Sequence, residues 1–545
     1  MPRPPIPKKK KAGKPQTSAP ETENDFLEAA DAEELGGGKW RAGDATKALR
    51  FFRRAIDIYD AGLRKFPQSL DLAYNKARLQ YELSQDPRLS PLLGDPVSLL
   101  RETLQSHRRA MNIDQTDSNL LFNTAQVLSS LAEAITDATG KEAGKVDAVP
   151  LLQESIELLS SCLTRQELEF SESQAAASAA AAEAAAASAT PESAQGGAAP
   201  PPSGAPAAAL EPSGDAEWAA VITPVTATTL LDTATATLSA LGQLAVAAAP
   251  STDGTLATVA GIARPLIRDK IPAYISRHTA AAAAAAAAPS SRDEPDARLA
   301  PLEARLAVAA YRAAFADAEF RSGVVGADEY VAGVRGAFGE AGRGGDDDDA
   351  AAAASAWNEG AVLTAEADAL MEAVATLDEA GEGAAAAAGA RRDALLGAAE
   401  VLRRALRRSA WLEKAKVGVM AGDAAMLLGR CGQDGSEDML REAEALYGDS
   451  AREVEGAVAN LKTTRDAGAE VLEEATVKWA VAGVIRDGMM ATKGGTVDEN
   501  RQVSRRQMVG KHRDEVGERV RDMVEDGLIE EGHFGLVMKE LVHLV

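Results

Sequence analysis

The residues best suited to metal or nucleophilic chemistry are five histidines and two cysteines, and their spacing supplies neither. His107, His278, His512, His533 and His543 are scattered; His533 and His543 stand ten residues apart with no cysteine nearby. No His-x-x-x-His, Cys-x-x-Cys or facial-triad spacing occurs, so no metal site is expected. Cys162 and Cys431 fall within or beside apolar helix patterns, where a buried, inert thiol is the default. Two distant cysteines make no disulfide framework and suit a reducing compartment. A phosphate loop of the form Gly-x-x-x-x-Gly-Lys-Ser/Thr is absent, and the glycine clusters at 36–38 and 342–345 follow no strand. Gly-x-Ser-x-Gly is absent too. Asp346–Asp349 reads as a solvated loop, lacking the ligand spacing of a calcium site. Neither an enzyme nor a cofactor is expected.

Recognition chemistry is better represented. Residues 72–78 read Leu-Ala-Tyr-Asn-Lys-Ala-Arg and residues 120–126 read Leu-Leu-Phe-Asn-Thr-Ala-Gln, 48 residues apart. Each follows a polar turn and opens an amphipathic helix. Aromatic-Asn-x-Ala looks like the first helix of a tetratricopeptide repeat, the small residue lying where the partner helix crosses closely. Leu35-Gly36, Gly43-Asp44, Ala48, Phe52 and Ala55 fit the same template upstream. One helix pair cannot bury its own apolar face; stacked pairs can, and the stack bends into a groove. By template position Trp40, Arg41, Tyr74, Asn75, Arg78, Tyr81, Phe122, Asn123 and Gln126 would face that groove and touch a partner. The blander reading of each is packing or solvated surface.

The elements that must position these residues are helices. Alanine is in excess and aromatics make up 4% of the chain, and alanine loses no side-chain entropy in a helix. Residues 1–20 read as a disordered basic tail, and from Glu21 to about Phe170 the helical period is strong. Lys47–Tyr59 carries Ala48, Leu49, Phe52, Ala55, Ile56 and Tyr59 on one stripe. Further helices are expected at Leu70–Leu83, Val97–Met111, Asn119–Ile135 and Leu151–Leu168, the last starting after Pro150. Residues 171–216 are Ala, Ser, Pro and Gly, which cannot bury a face and read as a linker. More helical repeats are expected over 217–485: Thr228–Ala248, Leu256–Ile267, Leu302–Phe320, Ala327–Phe338, Ala356–Leu377, Arg391–Leu428 (one helix or two) and Glu437–Ala482. Loops are expected at 280–297, 339–350 and 380–390, and the segment 486–545 gives no clear pattern. The fold class is all-α, a tetratricopeptide-like helical-repeat superhelix.

The formal net charge is −24, and the six cations Arg3, Lys8, Lys9, Lys10, Lys11 and Lys14 leave −30 on the rest. Such a body repels phosphates and attracts basic proteins, so direct nucleic-acid binding is not expected. The Pro-Lys cluster with Lys8, Lys9, Lys10, Lys11 and Lys14 is compatible with nuclear import. No signal peptide is expected, since no apolar stretch follows that cluster. Val221–Ala249 holds Pro224, Asp232 and many threonines and makes a poor membrane span. A soluble, intracellular protein follows as the expectation.

Several segments resemble the fungal enhancer-of-translation-termination family: Gly38-Lys-Trp-Arg-Ala-Gly-Asp44, Arg50-Phe-Phe-Arg-Arg-Ala-Ile56, Ser69–Arg78, Leu104–Arg108 and Leu121–Glu133. Trp218–Val225, Thr229–Ala234, Asp269–Ile275 and Ala318–Gly323 extend the resemblance, which covers about residues 25–430 and is most specific over 25–135. It implies a nuclear tetratricopeptide-like scaffold linked to translation termination and to oxygen-responsive (hypoxic) gene expression. In that family the second role works by binding an iron and 2-oxoglutarate-dependent prolyl hydroxylase whose substrate is a ribosomal protein. Two other readings stand beside it. A co-chaperone would grip the acidic tail of a heat-shock protein through a carboxylate clamp, whose positions here hold Glu33, Gly37, Asn75, Asn119 and Asn123; an acid at the first would repel the ligand. An assembly chaperone would shield one basic ribosomal protein in an acidic groove.

Overall fold

The computed structural model describes residues 20–139, 141–188, 225–249, 254–286, 299–339, 351–380, 384–408, 411–431, 436–458, 465–492 and 516–531, with positions 534, 537, 538 and 541. Among them there is no strand. The chain divides into two units, Met1–Thr233 and Ala234–Val545.

The first unit is built from three helix pairs: α1 Glu23–Arg41 with α2 Ala45–Lys65, α3 Leu70–Gln85 with α4 Pro96–Met111, and α5 Ser118–Thr139 with α6 Lys141–Ser188. Each helix packs on its successor, and α1 also meets α3 as α3 meets α5. That is the neighbour pattern of a helical repeat. Caps fix the starts. Thr22 and Asp25 form a capping box on α1, Asp44 accepts from Lys47 N, Ser69 from Leu72 N, and Asp95 from Ser98 N with Pro96 behind it. The stripe of α2 buries Ala48, Leu49, Phe52, Ala55, Tyr59 and Leu63. With Phe26, Leu72, Leu79 and Leu83, all of these but Leu49 belong to one N-terminal core cluster.

Helix α7, Ala227–Ala248, carries the chain across the division. By length and composition it could cross a membrane, but 61% of its most apolar window is buried within the protein. Then follow α8 Thr255–Pro265, a π-helical turn Leu266–Lys270, α9 Ile271–Ala286, α10 Ala300–Arg321, α11 Ala327–Gly339, α12 Ala351–Ala380, α13 Ala384–Leu406, α14 Trp411–Arg430, α15 Ser436–Val458, α16 Arg465–Thr492 and α17 Val516–Glu525. The main core here draws on α11 to α17, including Tyr330, Leu370, Leu395, Leu402, Tyr447 and Val481.

Several boundaries differ from the sequence reading. The helix expected to begin after Pro150 passes through it. Proline cannot donate to the carbonyl of Val146, and Val146 is exposed, where water can serve that group. The same helix continues to Ser188, into the segment read as a linker, although its side chains over 174–180 are exposed as expected of residues with no face to bury. Alanine alone sustains that helix. Alanine likewise carries α9 to Ala286 and starts α13 at Ala384, inside stretches expected to be loops. Arg391–Leu428 is indeed two helices, whereas Glu437–Ala482, expected as one, is also divided. Past Ile485, α17 buries Val516, Val520 and Met523, and Arg519 pairs with Glu473 of α16 at 3.1 Å. The basic tail, Asp346–Asp349, His512, His533 and His543 lie outside the described residues.

Candidate partner-binding wall of the N-terminal repeats

The first helices of the three pairs, α1, α3 and α5, present one wall, and glycine sets how closely α1 approaches α2. A Cβ on Gly37 would stand 2.6 Å from the Phe52 ring, and one on Gly36 would stand 2.6 Å from that of Phe51. With α1 seated, its polar edge faces α3. Arg41 donates to Glu82 and Asp86, both at 2.5 Å, and Arg78 donates to Glu34 at 2.6 Å and Glu82 at 3.2 Å. Glu34 also accepts from the Tyr59 hydroxyl at 2.6 Å. The wall therefore carries a ladder in which each guanidinium is held by two carboxylates.

Its electrostatics follow from that pairing. The hydrogen bond to Asp86 raises Arg41. Burial opposes the charge on Arg78, but Glu34 and Glu82 outweigh it and raise that group too. Burial pushes Asp86 up, yet Arg41 and the amides of Arg88 and Leu89 hold it below the ordinary carboxylate value. Burial, followed by the Glu34 bond, pushes Tyr59 well above a normal phenol. Charge-assisted bonds of this kind are about twice as strong as neutral ones. They fix the register of α1 on α3.

Between α3 and α5 the contacts are neutral. Asn123 donates to the Tyr74 hydroxyl at 3.1 Å, and the hydroxyls of Tyr81 and Ser130 lie 3.2 Å apart. Burial raises both tyrosines. Behind Tyr81, His107 of α4 packs edge-on at 6.4 Å. It is fully buried, its Nδ1 sits 3.0 Å from the Thr103 carbonyl oxygen, and Nε2 has no hydrogen-bond partner among the described groups. Burial lowers the His107 pKa.

Thus Arg41, Tyr74, Arg78, Tyr81 and Asn123 are joined by cross-helix bonds, while four other sequence candidates are not. Asn75 donates to the Asp71 carbonyl of its own helix, and Trp40 sits at the end of α1 with the Lys47 ammonium 3.0 Å from its ring centre. Phe122 and Gln126 are half-buried on α5. Sequence reasoning missed Glu34, Glu82, Asp86 and Ser130, and read Tyr59 only as part of an apolar stripe. The signal available was spacing: Glu82 lies one helical turn beyond Arg78 and Glu34 two turns before Arg41. At the clamp positions, Glu33 pairs with Arg54 at 2.8 Å, Gly37 is buried, and Asn75 and Asn123 bond within the wall. That set offers a carboxylate ligand no cation.

Elsewhere a cavity of about 600 Å³ is lined by Met111, Leu121, Leu158, Thr164 and Arg165, and one of about 290 Å³ by Glu474, Lys478, Arg519, Asp522, Glu525 and Asp526. Among the described residues no group of three or more His, Cys, Asp or Glu is placed to hold a metal ion. Cys162 is buried and its thiol is pushed up to about 11 by burial, which keeps it protonated and unreactive.

No family model matches the chain. The Schizosaccharomyces pombe UPF0656 protein C926.02 is 30% identical over 161 residues. That stretch is 30% of this chain and spans 34% of the relative, about a third of its length. Two solved structures align more widely but loosely. A circular tandem repeat protein with a novel repeat topology aligns at 14% identity over 93% of this chain and 97% of its own, with a TM-score of 0.31. The S. pombe nuclear import adaptor Nro1 aligns at 13% identity over 74% and 99%, with a TM-score of 0.27. Scores this low carry no argument about shape or role.

Proposed function

We propose that this chain is a nuclear protein-binding adaptor in translation control, whose α1/α3/α5 wall holds a partner protein. One observation carries the reading: three consecutive helix pairs place their first helices side by side and fix them to each other through Arg41, Arg78, Tyr74 and Asn123. A wall ordered in this way is pre-organised, so a partner pays little to immobilise it. The net charge of −24 directs it toward basic proteins. The resemblance of residues 25–135 to the enhancer-of-translation-termination family supports the nuclear setting. It also supports either a prolyl hydroxylase of the 2-oxoglutarate type or a basic ribosome-associated protein as partner. Enzymatic chemistry forms no part of this reading.

The test is affinity purification of the tagged full chain from nuclei, followed by mass spectrometry. Recovery of a hydroxylase, or of ribosomal or termination proteins, in amounts comparable to the bait is the expected result. Recovery of none of these would end the proposal.

A further inference from the structure

Charge is neutralised unevenly around the first helix pair. On the α3 side of α1, Arg41 and Arg78 are each held by two carboxylates. Further along the same unit Lys76 pairs with Asp60 and Arg108 with Glu154. The opposite flank differs. At about 3.6 residues per turn, Gly36, Lys39 and Trp40 lie on the side of α1 away from Glu34 and Arg41, next to Lys47, Arg50, Phe51 and Arg54 of α2. Contacts along that seam fix the placement. A Cβ on Gly36 would stand 2.6 Å from the Phe51 ring, the Lys47 ammonium lies 3.0 Å from the Trp40 ring centre, and the Arg54 guanidinium lies 4.4 Å from that of Phe51. Arg54 pairs with Glu33 at 2.8 Å. Lys39, Lys47 and Arg50 have no carboxylate partner among the described residues, in a chain where 82 acidic residues stand against 58 Lys and Arg.

Apolar surface accompanies these cations. Trp40 is 40% exposed, and Leu35, one turn before Lys39, is 60% exposed. Aromatic rings and arginine are enriched at protein interfaces, and exposed apolar patches rimmed by polar groups mark them. The Trp40 ring also holds the Lys47 ammonium in one place, so a ligand need not immobilise it. We propose that the outer flank of α1 and α2 is a second docking surface, for a short acidic segment of a partner protein. Its carboxylates would sit on Lys39, Lys47 and Arg50, and a large apolar residue among them would pack on Trp40. Nucleic acid is the poorer occupant. A long polyanion meets the repulsion of the whole chain, whose net charge is −24, whereas a short segment feels mainly charges within a Debye length of about 8–10 Å. This surface goes beyond the adaptor reading and shares none of the residues bonded across the α1/α3/α5 wall.

The experiment uses the purified full chain and a short fluorescent peptide of Glu-Phe-Glu-Glu repeats in an anisotropy titration. A version with Lys for Glu and a single-stranded oligonucleotide of equal negative charge run alongside. The acidic peptide is expected to bind, its affinity falling about tenfold between roughly 50 and 300 mM salt, and the other two to bind far more weakly. The variant K39Q/R50Q should weaken the acidic peptide about three- to tenfold. Both side chains are exposed and unpaired, so its melting temperature should stay at that of the wild type. Serine for phenylalanine in the peptide, which leaves the protein untouched, should weaken binding at least about threefold. R64Q/R165Q, an equal loss of charge from exposed positions elsewhere in the first unit, should stay within about twofold of wild type. Absence of saturable binding by the acidic peptide, equal or tighter binding of the oligonucleotide, or wild-type affinity in K39Q/R50Q would overturn the proposal. So would a loss in R64Q/R165Q as large as that in K39Q/R50Q, because overall charge would then be the cause.

Discussion

Replacing Gly37 with alanine should destabilise the protein, against the sign that helix propensity alone would give. In an open helix the change gains about 1 kcal/mol. Here the new methyl would stand 2.6 Å from the ring of Phe52, which is buried and has little room to retreat. Overpacking of this kind costs about 1–3 kcal/mol, so Gly37→Ala should lower the chemical-denaturation midpoint. The same change at Gly38, which meets nothing within 4 Å, should raise it or leave it unchanged. His107 gives a second test. Its folded-state pKa lies below the ordinary value because of burial, so the folded state refuses a proton that the unfolded chain accepts. Its stabilising effect is full above about pH 6.5 and fades as pH falls below that. Glu366 and Asp368 of the second unit are raised by burial and act in the opposite sense. The difference between wild type and His107→Gln therefore carries the prediction: stability loss from pH 7 to 5 should be smaller in the variant. At this scale the sequence showed aromatic and amide residues of the wall but hid their use. Arg41 and Arg78 look like free contact groups in one dimension, and only folding brings Glu34, Glu82 and Asp86 against them.

Helix α6 separates what makes a helix from what makes it stable. Its first half buries Leu152, Ile156, Leu159 and Leu163, and Ser155 donates to the Ala125 carbonyl of α5 at 2.9 Å. Leu159→Ala should cost about 2–5 kcal/mol by cavity formation. Ala179→Pro, in the exposed second half, should remove some helical signal in circular dichroism and leave the unfolding midpoint in place. A shift of that midpoint comparable to that of Leu159→Ala would show that the alanine-rich half is packed. Element types were legible where an apolar stripe recurs, as in Ala48, Leu49, Phe52, Ala55 and Tyr59. Boundaries were not legible where alanine runs hold a helix without burying a face, or where Pro150 falls at an exposed turn. Periodicity reports burial, and these stretches have none to report. Helix α17 was opaque for a related reason: Val516, Val520 and Met523 form a stripe of one short helix among glycines and charges, and its seat appears only on folding, where that stripe joins the core with Val481 of α16 and Arg519 pairs with Glu473.

At the scale of the whole molecule, each unit has apolar clusters of its own among the described residues. One in the first unit centres on Phe26, Phe52, Leu72 and Leu79, and the main one in the second on Tyr330, Leu370, Leu402 and Tyr447. Large domains with their own cores unfold by their own transitions, and a single free energy does not describe such a chain. Leu72 and Leu370 are both fully buried, so truncation of either to alanine removes comparable contacts and costs about 2–5 kcal/mol. In calorimetry of the full chain, Leu72→Ala should lower one component of the endotherm and leave the other, and Leu370→Ala should do the reverse. For domains of 150–250 residues each kcal/mol moves a midpoint by about 2–4 °C, so the displaced component should fall by roughly 4–20 °C. The wall would then be lost with the first component alone. Retention of nuclear partners by the full chain, followed with rising temperature, should be lost at the transition that Leu72→Ala moves and be indifferent to the one that Leu370→Ala moves. If either substitution shifted both components equally, the two cores would be one cooperative body, and the wall's stability would belong to the entire chain.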